Sequence, residues 1–141
     1  LWRIPACYEG QHAPDLEDVA RRTGLATAEV VRLHAQTRYH VYMIGFLPGY
    51  PYLGDVPEAL RLPRRSDPRV RVPTGAVAIA AAMFDAGRPQ PALLAPGDAV
   101  CFEPVSAAEH DRLRRRVQAG DLQIEGEPIA AAPPSGKARA A

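Results

Sequence analysis

The chain is 141 residues long, with 17 basic and 16 acidic side chains and a formal net charge of +1, a length that suits one domain whose core stands without disulfides. The balanced charge removes the global attraction that most nucleic-acid binders use, so any anion binding must be local. Cys7 and Cys101 match no zinc or redox spacing and read as buried thiols in a reducing cytoplasm, and no leader or long apolar run signals secretion or membrane spanning.

Trp2 to Tyr8 alternates weakly between apolar and polar residues and reads as a strand. Pro14 and Asp15 then open a helix with Leu16, Val19 and Ala20 on one face, and Gly24 closes it. Thr27 is expected to cap a second helix whose apolar stripe is Val30, Val31 and Leu33, with His34 at its end. Ala20, Gly24 and Val30 have helix-turn-helix spacing, but Ala28, Glu29, Val30 and Val31 are the wrong opening for a helix that reads bases. A plain helical hairpin is the better reading.

Tyr39 to Ile44 predicts a strand, with Tyr39, Val41 and Met43 on one face and His40, Tyr42 and Ile44 on the other. It leads into Tyr42 to Gly54, YMIGFLPGYPYLG, which holds four of the chain's nine aromatics, three glycines and two prolines. Such a composition predicts a rigid, aromatic-lined loop. Arg61, Arg64, Arg65, Arg69 and Arg71 follow, opposed only by Asp67. Aromatic surface next to clustered guanidinium donors is a candidate anion or carboxylate site. Core packing and a solvated charged face are the structural alternatives.

Further strands are expected at 69–72 and 76–84, joined by a turn at Pro73-Thr74-Gly75, with a loop over 85–90 and an apolar segment over 91–95. Pro96-Gly97-Asp98 predicts a tight turn and Ala99 to Val105 a returning strand. Ser106 and Glu109 form a capping box for a last helix to about Gln118, anchored by Leu113 and Val117, with Arg114 to Arg116 facing solvent. Residues 131–141 read as a disordered tail. The 15 prolines, spread between apolar segments, favour many short strands and fixed turns, the pattern of a barrel or sandwich.

No nucleotide-binding glycine loop, nucleophile elbow or metalloprotease motif is present. His12, His34, His40 and His110 are not spaced as ligand pairs, so no metal set is read from the sequence. His34 is a weak catalytic candidate, because it precedes the strand that delivers the aromatic loop and would there serve as a proton carrier.

Three stretches, RLHAQTRYHVYMIGFLPGYPYLG, LPRRSDPRVRVPTGAVAIA and LLAPGDAVCFEPVS, closely resemble the C-terminal, cyclophilin-like domain of the KipI family, also called allophanate hydrolase subunit 1 and the B-type subunit of 5-oxoprolinase. The likeness runs from about Ile4 to Ser106. It implies a mainly β fold over residues 1–130, a cyclophilin-like β-barrel with a helical hairpin near its N-terminus and a short C-terminal helix. It also implies a subunit of an ATP-dependent cyclic-amide hydrolase, most readily 5-oxoprolinase, that opens 5-oxoproline to glutamate. The partners would be a second cyclophilin-like subunit and a lactam-binding subunit, with ATP held by the assembled enzyme, the isolated chain inactive and the location cytoplasmic. One alternative in the family is an inhibitor that binds a sporulation histidine kinase; another is a domain of an allophanate hydrolase or urea carboxylase system. Nucleic acid and membrane are not expected partners.

Tyr42, Gly45, Phe46, Pro48, Gly49, Pro51, Tyr52, Leu53, Gly54, Arg64, Arg65, Arg69 and Pro73 occupy positions of the family pattern. The resemblance assigns no certain catalytic residue. Arg64, Arg65 and Arg69, with Tyr42 and Tyr52, are the candidates for substrate or phosphate. Gly45, Phe46, Pro48, Gly49, Tyr50, Pro51 and Gly54 would shape the cleft or a partner contact. The chain departs from the family in two places. It opens at Leu1 without the family's preceding domain, as a fragment would, and it lacks a segment resembling QTGIYPxxSPGGWxLIGRTP near residues 82–83. That segment is either deleted or a skipped flexible loop; the second reading is favoured because both flanks keep the pattern.

Overall fold

Strand β1 (Trp2–Cys7) lies against β4 (Ala99–Val105) in parallel, with Trp2 opposite Val100 and Ile4 opposite Phe102. The computed structural model describes residues 1–45, 50–63, 75–76 and 93–129. β4 also pairs antiparallel with β2 (Tyr39–Ile44), and β2 with β3 (Pro51–Gly54), giving a mixed sheet in the order β1-β4-β2-β3. The short β2–β4 pairing is extended by two bonds, from the Val41 amide to the Asp98 carbonyl and from the Gly97 amide to the Val41 carbonyl, both 2.9 Å.

This sheet is open, so the expected barrel is not seen among the described residues. The strands expected at 69–72 and 76–84, and the junction near 82–83, lie outside those residues, as does the tail. Nor are the described residues mainly β: helices α1 (Leu16–Thr23), α2 (Thr27–Gln36) and α3 (Ala107–Gln118) hold more residues than the four strands. No helix among the described residues is long and apolar enough to cross a membrane.

Alternation along β1 and β4 puts Ile4, Ala6, Val100 and Phe102 on one buried face, where they meet Tyr39, Val41 and Leu94. Val41 and Val100 are completely buried, each worth about 1.5–3 kcal/mol of hydrophobic stabilisation. A second cluster joins the helical hairpin to the rest. Ala20 of α1, Val30 of α2 and Leu60 from a 3-10 turn (Glu58–Leu60) form it, with Val56 touching both clusters. Leu60 is 1% exposed, a core position that no sequence periodicity marks.

Local signals explain the helix ends. Gly24 takes the left-handed conformation (φ 72°), and its amide donates to the Ala20 carbonyl. Thr27 does not cap α2: it is the first helical residue, and the cap position belongs to Ala26, whose extended backbone presents its carbonyl to the amides of Glu29 and Val30. The capping box holds, since Ser106 Oγ accepts from the Glu109 amide at 3.2 Å. The expected anchoring of α3 is partial at Leu113, which is half-buried, and fails at Val117. No residue of this helix is buried, and Val117 is 49% exposed. Its start is tied down by Glu9, whose Oε2 accepts from the Ala107 amide at 2.9 Å.

The Pro96-Gly97-Asp98 turn forms as expected, with Gly97 at φ 95°. Asp98 Oδ2 accepts from the Ala95 amide at 2.8 Å and from Trp2 Nε1 at 3.0 Å, so one carboxylate caps the turn and fastens β1 to it. Cys7 and Cys101 are free thiols and only partly buried, because both lie on the face of the β1–β4 pair opposite the core residues.

Candidate functional site

The stretch expected to be a loop is an antiparallel hairpin over much of its length. β2 and β3 pair His40 with Gly54, Val41 with Leu53, Met43 with Tyr52 and Ile44 with Pro51, and the Gly45 amide donates to the Tyr50 carbonyl at 3.0 Å. The register shifts between Val41 and Met43, a bulge centred on Tyr42. It resets the alternation. Val41 faces the core, Tyr42 and Met43 both turn outward at 60% and 53% exposure, and Ile44 returns to pack on the core with Leu53. The strict two-face assignment of β2 is therefore corrected at Met43 and Ile44.

The bulge leaves an aromatic and thioether surface on the outer face of the hairpin. His40 and Tyr42 meet edge to face at 4.6 Å, and Tyr50 and Tyr52 lie 5.3 Å apart. Gly54 makes this arrangement possible, since a Cβ there would stand 2.1 Å from Tyr42 Cε2. The Tyr42 hydroxyl donates to Asp55 Oδ1 at 3.3 Å. Asp55 holds a left-handed backbone (φ 65°), one that non-glycine residues seldom take and that Asp tolerates better than most. The negative charge of Asp55, then the hydrogen bond to it, raises the Tyr42 pKa and keeps the phenol protonated. Pro51 is fully buried and serves the core.

Phe46, Pro48, Gly49, Arg64, Arg65 and Arg69 lie outside the described residues. Of the arginine cluster, Arg61 is described: its Nε donates to the Val56 carbonyl at 3.2 Å from an exposed position just after the Glu58–Leu60 turn.

His34 meets β2 at the buried Tyr39, on the core side of the sheet and away from the outward-facing Tyr42 and Met43. Its ring stacks on Phe102 (4.8 Å, 17°), touches Tyr39 at 5.4 Å, and its Nδ1 lies 2.6 Å from the Tyr8 hydroxyl. Burial lowers its pKa to about 4 and raises that of Tyr8. A neutral imidazole accepting from a neutral phenol is the consequence near pH 7. That pair fits packing beneath α2 better than proton transfer, since neither group changes charge in the neutral range. Tyr8 also borders an open groove of about 500 Å³, whose lining includes Leu16, Thr27, Val31 and Val105.

The fold also gathers residues that their sequence spacing kept apart. His12, from a 3-10 turn (Gly10–His12), meets His110 and Asp111 of α3, with all three ligand-type atoms within 4.8 Å of one another. Sequence spacing holds no signal for this, because the two histidines come from opposite ends of the chain.

Comparison with known proteins gives the hairpin a context. Residues 1–92 match the model of the carboxyltransferase domain, subdomain C and D. The chain is 41% identical over 123 residues to the B-type subunit of 5-oxoprolinase from Escherichia coli O157:H7, covering 72% of this chain and 56% of that protein. It is 47% identical over 77 residues to the corresponding 5-oxoprolinase subunit of Bacillus subtilis (strain 168), covering 55% of this chain and 32% of that protein. The chain thus spans little more than half of one relative and about a third of the other. Among solved structures, a conserved uncharacterized protein from Pyrococcus horikoshii superposes with a TM-score of 0.69 at 35% identity, over 76% of this chain and 60% of that one. A match to this family across residues 1–92, well over half of the chain, shows that the chain belongs to the carboxyltransferase domain, subdomain C and D, family.

Proposed function

We propose that this chain works as part of a 5-oxoprolinase subunit, in an assembly that hydrolyses the lactam of 5-oxoproline to glutamate at the expense of ATP. The observation that carries the reading is the 41% identity to the 5-oxoprolinase subunit of Escherichia coli over 72% of the chain. In this reaction the lactam C–N bond breaks and the elements of water are added across it, while ATP is hydrolysed to ADP and phosphate. Both 5-oxoproline and ATP are anions, and a balanced chain must meet them locally. Arg64, Arg65 and Arg69 are the proposed donors, since a guanidinium fork matches a carboxylate or phosphate with two parallel hydrogen bonds.

The outer face of the hairpin has a different part in this proposal. Tyr42, Met43 and Tyr52 offer apolar surface with a single polar handle, the composition of a protein contact more than of a catalytic centre. It is the surface on which the companion cyclophilin-like subunit docks, with the lactam-binding subunit completing the enzyme. The domain over 1–130 would be a cyclophilin-like barrel, and ATP would be held by the assembly.

The test is ATP-dependent 5-oxoproline turnover by the full-length protein, alone and with its companion subunits, repeated with Arg64→Ala and Arg65→Ala. Turnover in the complete assembly only, lowered at least tenfold by either change, is the expected result. Full activity of both variants removes the residue assignment. Silence of every combination overturns the enzyme reading in favour of a hairpin surface that binds a histidine kinase dimerisation domain.

A further inference from the structure

Helix α3 is held to the rest of the protein without a fully buried residue. Besides the Glu9 bond at its first turn, its polar attachments include the meeting of His12, His110 and Asp111. His110 Nδ1 lies 3.5 Å from Asp111 Oδ1, and His12 Nε2 lies 4.0 Å from the same oxygen. The two imidazole rings are 4.5 Å apart and tilted by 53°. His12 is the most enclosed of the three side chains at 18% exposure, and Asp111 the most open at 55%.

We propose that His12, His110 and Asp111 form a zinc-binding site that clamps α3 onto the Gly10–His12 turn. Two imidazole nitrogens and one carboxylate oxygen form a donor set that zinc takes readily, and three protein ligands leave a fourth position for water. Tetrahedral zinc holds its ligand atoms at about 2.0–2.2 Å, which puts them about 3.3 Å from one another. The three ligand atoms lie within 4.8 Å of one another, two of the separations being 3.5 and 4.0 Å, and side-chain rotation brings them to that spacing. At 4.0 and 3.5 Å from Asp111 Oδ1, the His12 and His110 nitrogens are farther than a hydrogen bond of normal length, whereas a cation between the three groups would engage them all. The ligands come from two elements, so binding couples directly to the docking of α3. This inference is independent of the enzyme reading, because it concerns only groups on this chain.

The experiment is a zinc titration of the 141-residue chain, prepared without a polyhistidine tag, followed by calorimetry and by competition with a chromogenic chelator. One zinc per chain with Kd below about 10 μM is expected, with a zinc-dependent rise in Tm. His12→Ala, His110→Ala and Asp111→Asn each weaken binding at least tenfold, while His40→Ala, which alters a histidine outside the cluster, leaves it unchanged. Circular dichroism confirms that each variant is folded. Absence of saturable binding up to about 100 μM zinc in the unaltered chain overturns the proposal, as does unchanged affinity in the three ligand variants.

Discussion

Acidification is the sharpest probe of the packing beneath α2. Burial lowers the pKa of His34 to about 4, against 6.5 in an exposed setting. In the unfolded chain His34 takes up a proton as pH falls through 6.5, while in the folded chain it stays neutral until about pH 4. The folded-state pKa is the lower one, so the stability advantage is complete above pH 6.5 and is lost progressively down to about pH 4, where the loss levels off. A gap of about 2.5 pH units at 1.36 kcal/mol each amounts to roughly 3 kcal/mol in all, of which about 2 kcal/mol is lost by pH 5. Other titrating groups also contribute, so the measurement is a difference of differences. Urea unfolding of the parent chain and of His34→Gln is followed at pH 7 and pH 5. The parent chain should lose about 2 kcal/mol more than the variant between the two conditions. Equal losses, or an NMR titration of His34 with a midpoint near 6.5, would refute the reasoning.

Two further substitutions test the packing and the caps. Val41→Ala removes two methyl groups from a fully buried position and should cost about 2–3 kcal/mol, read as a lower urea midpoint with unchanged slope. Ser106→Ala deletes the oxygen that accepts from the Glu109 amide and should cost about 1 kcal/mol, with a loss of helical signal confined to α3 by amide exchange.

Elements governed by neighbours in sequence are legible in the sequence itself. Gly24 stops α1 because no other residue takes its φ so easily, and Ser106 opens α3 through a bond spanning three residues. The turn at Gly97 and the strand after it follow from equally local chemistry. What escapes such a reading depends on partners distant in the chain. A period of two cannot show where a bulge resets it, so the outward turn of Met43 and the inward turn of Ile44 carry no sequence signal. The aromatic stretch reads as a loop because its glycines and prolines outweigh strand propensity, yet pairing with β2 recruits Pro51 to Gly54 into the sheet. The position of His34 just before the hairpin points toward the cleft, while its ring partners Tyr8 and Phe102 come from segments far away in sequence. The family resemblance, resting on sequence motifs, agrees with the comparisons because motifs are a local property too.

The order of strands has a kinetic meaning. β4 lies between β1 and β2, although it is the last of the four to leave the ribosome. Among the described strands, β1 and the β2–β3 hairpin share no partner until Ala99 to Val105 emerge, and each has an edge that β4 later pairs. Trp2 cannot meet Val100 without closing everything between them into one long loop, an entropic toll that slows folding of such topologies. Joining of the described strands is accordingly a late insertion, and a nascent chain halted before residue 99 lacks the strand that bridges β1 and β2.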